Sequence, residues 1–295
     1  MLTQQIFDSI VVGGTYALFA LGMTLVFGVH HVLNLAHASL FMWGGMAGLY
    51  VVTALGLPFP VALLVGALAG GVLGIGLDFV AFRPLRKRTD EFGPLVSSIG
   101  ANLILLNIAQ QLTSAQIMGY PFGTFPAVTF HFLSIRMSLL QLTILAFTAA
   151  AVLLMGWYFK TSFGRQMRAV ALSETTASLV GINPLGVYLQ TFFISGALAG
   201  AAGVLVGLAF NSVSFLMGEP ILLKAFVVII LGGLGSVRGA IIAGLLLGII
   251  QTLAVSYLSS ELSDAVLFTA LFIILLVKPT GFFPGMRRDA RVVRQ

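Results

Sequence analysis

The side chains best able to bind a metal or take part in catalysis stand in one short stretch, HHVLNLAHASLF at positions 30–41. They are His30, His31, Asn34, His37 and Ser39. Imidazole nitrogens can bind a metal or move a proton. A zinc site, however, needs three or four ligands and hydrogen bonds that hold them in place, and the only other histidine, His131, lies far along the chain. No nucleophile or acid stands at a spacing that completes a catalytic group. The pattern disfavours metal binding and catalysis. It leaves a kink at a helix start or the lining of a passage for a polar solute.

The composition indicates a membrane protein. Of 295 residues, 59% are hydrophobic and 8% are charged, and the mean hydropathy is +1.07. A soluble domain carries about a quarter charged residues. The absence of cysteine excludes disulfides and thiolate metal sites. The net charge of +6 does not indicate nucleic-acid binding, because the basic residues lie in short clusters between apolar runs.

The apolar runs predict a single all-α domain over 1–295 with about eight or nine transmembrane segments. Runs of spanning length lie at 5–28, 34–55, 60–82, 94–116, 137–159, 187–210 and 264–279. A further stretch, 222–258, is interrupted by GGLGSVRG at 232–239. It predicts a half-length helix, a turn and a full span, because the piece before the glycines is too short to cross the membrane. The glycines do not match the G-x-G-x-x-G pattern of a nucleotide site.

The distribution of Lys and Arg predicts the orientation in the membrane. Twelve of the 15 basic residues lie in three clusters: Arg83, Arg86, Lys87 and Arg88; Lys160, Arg165 and Arg168; and Lys278, Arg287, Arg288, Arg291 and Arg294. Cytoplasmic loops carry the excess of Lys and Arg. We therefore predict that the N-terminus lies outside and the C-terminus in the cytoplasm.

Acidic residues near the spans are few, which disfavours an ion-coupled carrier. Asp78 is expected at the cytoplasmic interface beside the first basic cluster. Glu219 is expected on the outer side, where it could pair with Lys224 or with a basic patch on a binding protein. Asp264 and Glu261, in the last outer loop, could do the same.

The run 94–116 is the most polar of the predicted spans. Ser98 and Asn102 are four residues apart and share a helix face, as do Asn107 and Gln111. Such residues either form hydrogen bonds between helices or line a water-filled path.

Small residues recur at a spacing of four in Gly66 and Gly70, Gly196 and Gly200, Gly203 and Gly207, and Gly244 and Gly248. This spacing allows helices to approach closely in lipid. It favours packing within one bundle, with a homodimer contact as the alternative.

The loop 160–186 predicts a short helix of about two turns. Ser173 is a good N-cap residue, Glu174 suits the first turn, Gly181 suits the end, and Pro184 follows. One face would carry Leu172, Thr176, Leu179 and Val180. A helix that lies on the bilayer shows Lys and Arg on its polar face, whereas this one shows Ser, Thr and Glu. The pattern favours docking into a cytoplasmic protein.

Four segments in order resemble one family: NLAHASLFMWGG, GRQMRAVALSETTASLVGIN, LKAFVVIILGGLGS and KPTGFFPG. They are similar to the permease subunits of the branched-chain amino acid class of bacterial ABC importers, in particular to the permease with the NLAH signature. The resemblance implies a fold like that of the vitamin B12 and iron-chelate importer permeases, in the bacterial inner membrane. It also implies a second permease, usually of different sequence, two cytoplasmic ATPase subunits and a periplasmic binding protein. The chain would be no enzyme and bind no cofactor, since its partner subunits use the ATP.

The resemblance also assigns residues. The ATPase-coupling residues would be Ser173, Glu174, Ala177, Leu179, Gly181 and Asn183. It favours pathway lining for Asn34, His37 and Ser39. The polar run 94–116 adds Asn102, Asn107 and Gln111 as pathway candidates from its sequence alone. Ala38 stands where many relatives have glycine. The expected solute is a branched-chain amino acid, although similar permeases carry urea, amides or aromatic acids. A secondary carrier without ATPase partners and an integral membrane enzyme are the alternative classes.

Overall fold

A computed structural model describes residues 2–86, 92–132, 135–278 and 281–283. This part of the chain forms eleven α-helices and one β-hairpin. The helices are α1 (Leu2–His30), α2 (His37–Thr53), α3 (Phe59–Leu77), α4 (Gly93–Thr113), α5 (Leu139–Tyr158), α6 (Ser162–Leu172), α7 (Glu174–Leu179), α8 (Pro184–Ala209), α9 (Gly218–Gly232), α10 (Val237–Tyr257) and α11 (Ser260–Val277).

The helices confirm a polytopic helical protein. Seven of those described are long and apolar enough to cross a membrane: α1, α3 with its extension to Leu85, α4, α5, α8, α10 and α11. The helices α2 and α9 have 17 and 15 residues, fewer than the roughly 20 that a span requires. The count of eight or nine crossings stays a prediction.

The break predicted at 232–239 is confirmed. Helix α9 ends at Gly232, and α10 begins at Val237 after a turn in which Gly233 and Gly235 have positive φ angles of 95° and 80°. The backbone N–H of Phe282 donates to the carbonyl of Leu231 at 2.7 Å, so the end of the described chain packs on this turn.

The glycine pairs pack helices within this chain, as the favoured interpretation predicts. A Cβ atom added at Gly70 would overlap the carbonyl oxygen of Gly196, and one at Gly200 would overlap that of Gly66. Helix α3 therefore lies backbone to backbone against α8. Gly248 meets the backbone of Gly13 in the same way, which brings α10 against α1.

The start of α5 differs from the prediction. An antiparallel hairpin of β1 (Thr129–Phe132) and β2 (Ile135–Ser138) precedes it, so the span expected from 137 begins at Leu139. Ser138 sets that boundary, because its side chain accepts the N–H of Gln141 while the Gln141 side chain accepts the N–H of Ser138.

The loop 160–186 contains two helices instead of one. The additional helix, α6, begins after Thr161, whose hydroxyl accepts the N–H of Gly164. The sequence did not indicate α6, because it mixes basic and apolar residues and has a glycine in the first turn, as a polar loop does. The residues Lys87, Arg88, Arg287, Arg288, Arg291 and Arg294, used to predict orientation, lie outside the described part of the chain.

Candidate functional site

The polar residues of the NLAH stretch lie inside the bundle because α2 begins there. His37 is the first residue of α2 and is fully buried against the middle of α8 and the body of α1. Its Nε2 lies 3.3 Å from the carbonyl oxygen of Phe19, and its Nδ1 lies 3.4 Å from Oγ of Ser195. A carbonyl oxygen only accepts, so Nε2 carries the proton and Nδ1 accepts from the serine. Both ring nitrogens are engaged by protein groups.

Gly22 makes room for this imidazole. A Cβ atom at Gly22 would lie 2.9 Å from Cε1 of His37 and 2.8 Å from the carbonyl oxygen of Ser195. The sequence thus places a glycine on α1 opposite a histidine on α2, and the ring fills the space between three helices.

A second polar contact joins α2, α4 and α9 at the same depth. Ser39 Oγ donates to Oδ1 of Asn102 at 2.6 Å, and Asn102 Nδ2 donates to Oε1 of Glu219 at 2.9 Å. Asn102 lies in the middle of α4. Glu219, which bonds to it, is the second residue of α9, so α9 starts midway along the bundle. We call Ser39, Asn102 and Glu219 the central polar cluster.

The approach to α2 is polar as well. Ser98 Oγ accepts the N–H of Leu35 at 3.2 Å, which ties the chain before α2 to α4. Asn34 is buried, with 1% of its surface exposed, and neither amide atom of its side chain has a hydrogen-bond partner among the described residues. Its backbone carbonyl accepts the N–H of His37 at 3.3 Å.

The structure divides the six predicted pathway residues into two groups. Asn34, His37, Ser39 and Asn102 lie at the start of α2 and its contact with α4. Asn107 and Gln111 lie on a different, exposed face of α4, where Asn107 Nδ2 donates only to the carbonyl of Leu103 in its own helix.

Of the two alternatives predicted for Glu219, the pairing with Lys224 is wrong, because Glu219 bonds to Asn102. Lys224 instead forms an ion pair with Asp264 at 3.3 Å, which is one of the alternatives predicted for Asp264. Asp264 belongs to helix α11, not to an outer loop. The sequence reasoning missed Glu219 as a member of the site. Gly218 was the available signal, because a Cβ atom there would overlap the carbonyl oxygen of Ala38 and α9 could not approach α2.

Helix α7 has the ends that the sequence predicts. Ser173 Oγ accepts the N–H of Thr176 at 3.2 Å, and Gly181, just beyond the helix, has a φ of 81°. Asn183 serves the next helix, since its side chain accepts the N–H of Leu185 at the start of α8.

The residues predicted to share one face, Leu172, Thr176, Leu179 and Val180, are all exposed, with Leu179 and Val180 at 83% and 70%. The buried residue of α7 is Ala177. A six-residue helix is not stable alone. Exposed apolar side chains on so short an element form a surface that suits a protein partner.

Comparisons with known proteins agree on one family. A family model described as "Branched-chain amino acid transport system / permease component" matches residues 5–276. The chain is 34% identical over 290 residues to the high-affinity branched-chain amino acid transport system permease protein LivH of Escherichia coli, with 94% of each chain covered. It is 31% identical to BraD, a permease protein of the same description from Pseudomonas aeruginosa, again over 94% of each.

A solved structure shares the fold. PsaBC from Streptococcus pneumoniae in complex with Fab superposes with a TM-score of 0.50 and 13% identity, covering 100% of this chain and 95% of that chain. At this identity the likeness concerns the fold alone.

Proposed function

Because this chain belongs to the family of branched-chain amino acid transport system permeases, we propose that it is the membrane-spanning permease subunit of an ATP-driven importer for branched-chain amino acids. The observation that carries this proposal is the family match over residues 5–276 together with the transport activity of the relatives LivH and BraD. The chain carries no G-x-x-x-x-G-K-[ST] motif, so the ATP is bound elsewhere in the importer.

The importer we propose contains a second permease of different sequence, two cytoplasmic ATPase subunits and a periplasmic binding protein. This chain lies in the bacterial inner membrane with its N-terminus outside and its C-terminus in the cytoplasm. It performs no covalent chemistry and binds neither cofactor nor nucleic acid. Its task is to switch between two packings of its helices, each open to one side of the membrane.

The ATPases dock on α7 and the turn that follows it. The surface comprises Glu174, Leu179 and Val180, with Ser173 and Gly181 fixing the ends of the helix. Leu179 and Val180 are the exposed apolar side chains that such a contact would bury. Closure of the two ATPases on nucleotide then displaces α7 relative to the spans.

The solute path runs past the central polar cluster. Glu219 is half-buried, and no cationic side chain among the described residues forms an ion pair with it. A carboxylate inside a membrane protein normally finds a cation or water. The ammonium group of an amino acid supplies that charge as it passes. Met42 and Met46 follow on α2, and their flexible thioether side chains adapt to aliphatic groups of different shape.

Reconstitution of the complete importer in lipid vesicles tests the function. We expect leucine uptake that requires the binding protein and ATP and that stops when the ATPase active sites are inactivated. Uptake that continues with inactive ATPases would refute the importer assignment, and uptake of urea or an amide in place of leucine would refute the solute assignment.

Glu219→Gln tests the pathway in the same vesicles. Loss of one charge-assisted hydrogen bond predicts uptake lowered by about tenfold or more. Glu261→Gln is the matched control, because Glu261 is an exposed carboxylate in the first turn of α11, and its uptake should stay within about twofold of the parent. Equal effects of the two substitutions would remove Glu219 from the pathway.

A further inference from the structure

A chain of four side chains connects α7 to the end of α3. Tyr188, near the start of α8, donates its hydroxyl to Oε2 of Glu174 in α7 at 3.0 Å. The guanidinium carbon of Arg86 lies 4.0 Å from the centre of the Tyr188 ring, within the range of a cation–π contact. Arg86 in turn forms an ion pair with Asp78.

The far end of this chain is an irregular piece of helix. Asp78 is fully buried and begins a π-helical turn, Asp78–Phe82, that continues α3. Single π-helical turns inside helices are frequent at functional sites. Asp78 was expected at the interface beside basic residues, and the structure gives it the basic partner but buries it. Its Oδ2 and the Nε of Arg86 have no hydrogen-bond partner in the described part of the chain, so the pair uses only part of its bonding capacity.

The ring of Tyr188 also touches the end of α1. The ring centre of His30, the last residue of α1, lies 4.3 Å from that of Tyr188 and 4.9 Å from that of Phe192. Phe192 also lies 4.9 Å from Phe82, at the end of the π-helical turn. Tyr188 therefore contacts α7 through its hydroxyl and the ends of two spans through its ring.

Glu174 is suited to receive a signal from outside the chain. Its side chain is exposed, and only Oε2 has a hydrogen-bond partner among the described residues. One carboxylate can thus accept from Tyr188 and from a donor on a docked protein at once.

From these contacts we infer that Tyr188 is a positioning residue that transmits displacement of α7 to the ends of α1 and α3, through Glu174 on one side and through Arg86 and Asp78 on the other. The inference rests on the proposed function, since it requires an ATPase at α7. The coupling is mechanical: α7 is short, a phenol ring is rigid, and a planar guanidinium follows the ring on which it stacks. A shift of Glu174 therefore moves Arg86, and the incompletely bonded Asp78 can follow.

The test is Tyr188→Phe in the complete reconstituted importer, with ATP hydrolysis and leucine uptake measured in the same vesicles. The substitution keeps the ring and its contacts with Arg86 and His30 and removes only the hydroxyl. We expect the number of ATP molecules hydrolysed per leucine imported to rise about threefold. This fold-change corresponds to the average free energy of one interhelical hydrogen bond. Assembly with the ATPases should be unchanged.

Tyr158→Phe is the matched control. Tyr158 ends α5, and its hydroxyl donates to Oε1 of Gln190 in α8 at 3.3 Å. This variant also loses one tyrosine hydroxyl and one hydrogen bond that involves α8. Its ATP-to-leucine ratio should remain that of the parent. A rise as large as that of Tyr188→Phe would overturn the inference.

Glu174→Gln and the double variant complete the test. Both single substitutions weaken the Tyr188–Glu174 bond, so Tyr188→Phe should raise the ATP-to-leucine ratio less in the Glu174→Gln background than it does in the parent. Additive effects, or loss of ATPase binding in Tyr188→Phe, would overturn the inference by assigning the tyrosine a docking or purely structural role. A parent complex that imports leucine without ATP would instead refute the proposed function, which distinguishes the two failures.

Discussion

Replacing Asn102 with leucine removes the amide that joins α2, α4 and α9. The side chain accepts from Ser39 at 2.6 Å and donates to Glu219 at 2.9 Å, and both bonds are lost. Ser39 keeps a second acceptor, the backbone carbonyl of residue 102 at 3.3 Å, so its hydroxyl is not stranded. The carboxylate of Glu219 keeps no hydrogen-bond partner among the described residues.

The expected loss of stability follows from those two bonds. An interhelical hydrogen bond in a membrane protein contributes about 0.6 kcal/mol on average and about 1.7 kcal/mol at most. The bond to the serine should count as average because its hydroxyl has the alternative acceptor. The bond to the carboxylate should lie near the upper value because one partner is charged. We therefore expect a loss of about 2 kcal/mol in the free energy of unfolding.

Reversible unfolding of the purified permease in mixed detergent micelles measures this loss. Asn107→Leu is the control on the same helix, since Asn107 is exposed and bonds only within α4. Its free energy of unfolding should change by less than about 0.5 kcal/mol. If the two variants were equally destabilised, or if Asn102→Leu changed the free energy by under about 0.5 kcal/mol, the central polar cluster would not hold these helices together.

Three shorter predictions concern other parts of the chain. Gly200→Val should prevent correct folding because the added atoms meet the backbones of Gly66 and Gly70, whereas Gly76→Val, at a position with open space, should yield monodisperse protein in gel filtration. Ser173→Ala should cost α7 about 1 kcal/mol and speed amide hydrogen exchange at 175–178 several-fold, while Ser259→Ala, which removes the cap of α11, should leave that exchange unchanged. His37→Leu should lower uptake in the reconstituted importer without preventing assembly, because both ring bonds are lost from a site that stays filled; full uptake would leave only a role in shaping the start of α2.

Hydropathy and local end signals predicted the elements well for physical reasons. A run of apolar residues of spanning length has little alternative to a membrane helix. Ser173 and Gly181 mark the ends of α7 through bonds and backbone angles that depend only on neighbouring residues. The glycine spacing predicted close packing, because helix approach is limited by the side chains at the contact.

The contacts of the site depend on tertiary register, which periodicity does not contain. Two polar faces of α4 were equally visible in the sequence, one with Ser98 and Asn102 and one with Asn107 and Gln111. The structure turns the first inward because Ser39 and Glu219 meet it there. Glu219 itself is over one hundred residues from Asn102 in sequence, and its place depends on how deeply α9 starts.

The starts of α2 and α9 explain why the centre of the bundle is polar. The helices α5, α6, α7, α8, α10 and α11 all begin with a Ser, Thr or Asn side chain that accepts a backbone N–H, and α3 and α4 begin with proline in the first turn. Helices α2 and α9 have no side-chain cap of this kind, with Ala36 and Met217 at their cap positions, although Pro220 stands in the first turn of α9.

A helix start carries partial positive charge from its aligned peptide dipoles. Glu219, in the first turn of α9, offsets that charge for its own helix, whereas the described part of the chain places no acidic residue in the first turn of α2. The centre therefore offers a carboxylate at the start of α9 and, just before the partially positive start of α2, the side-chain amide of Asn34, which has no hydrogen-bond partner among the described residues. An amino acid carries the matching pair of charges on adjacent groups. A neutral solute such as urea matches neither, so the geometry of the two helix starts favours the amino acid that we propose.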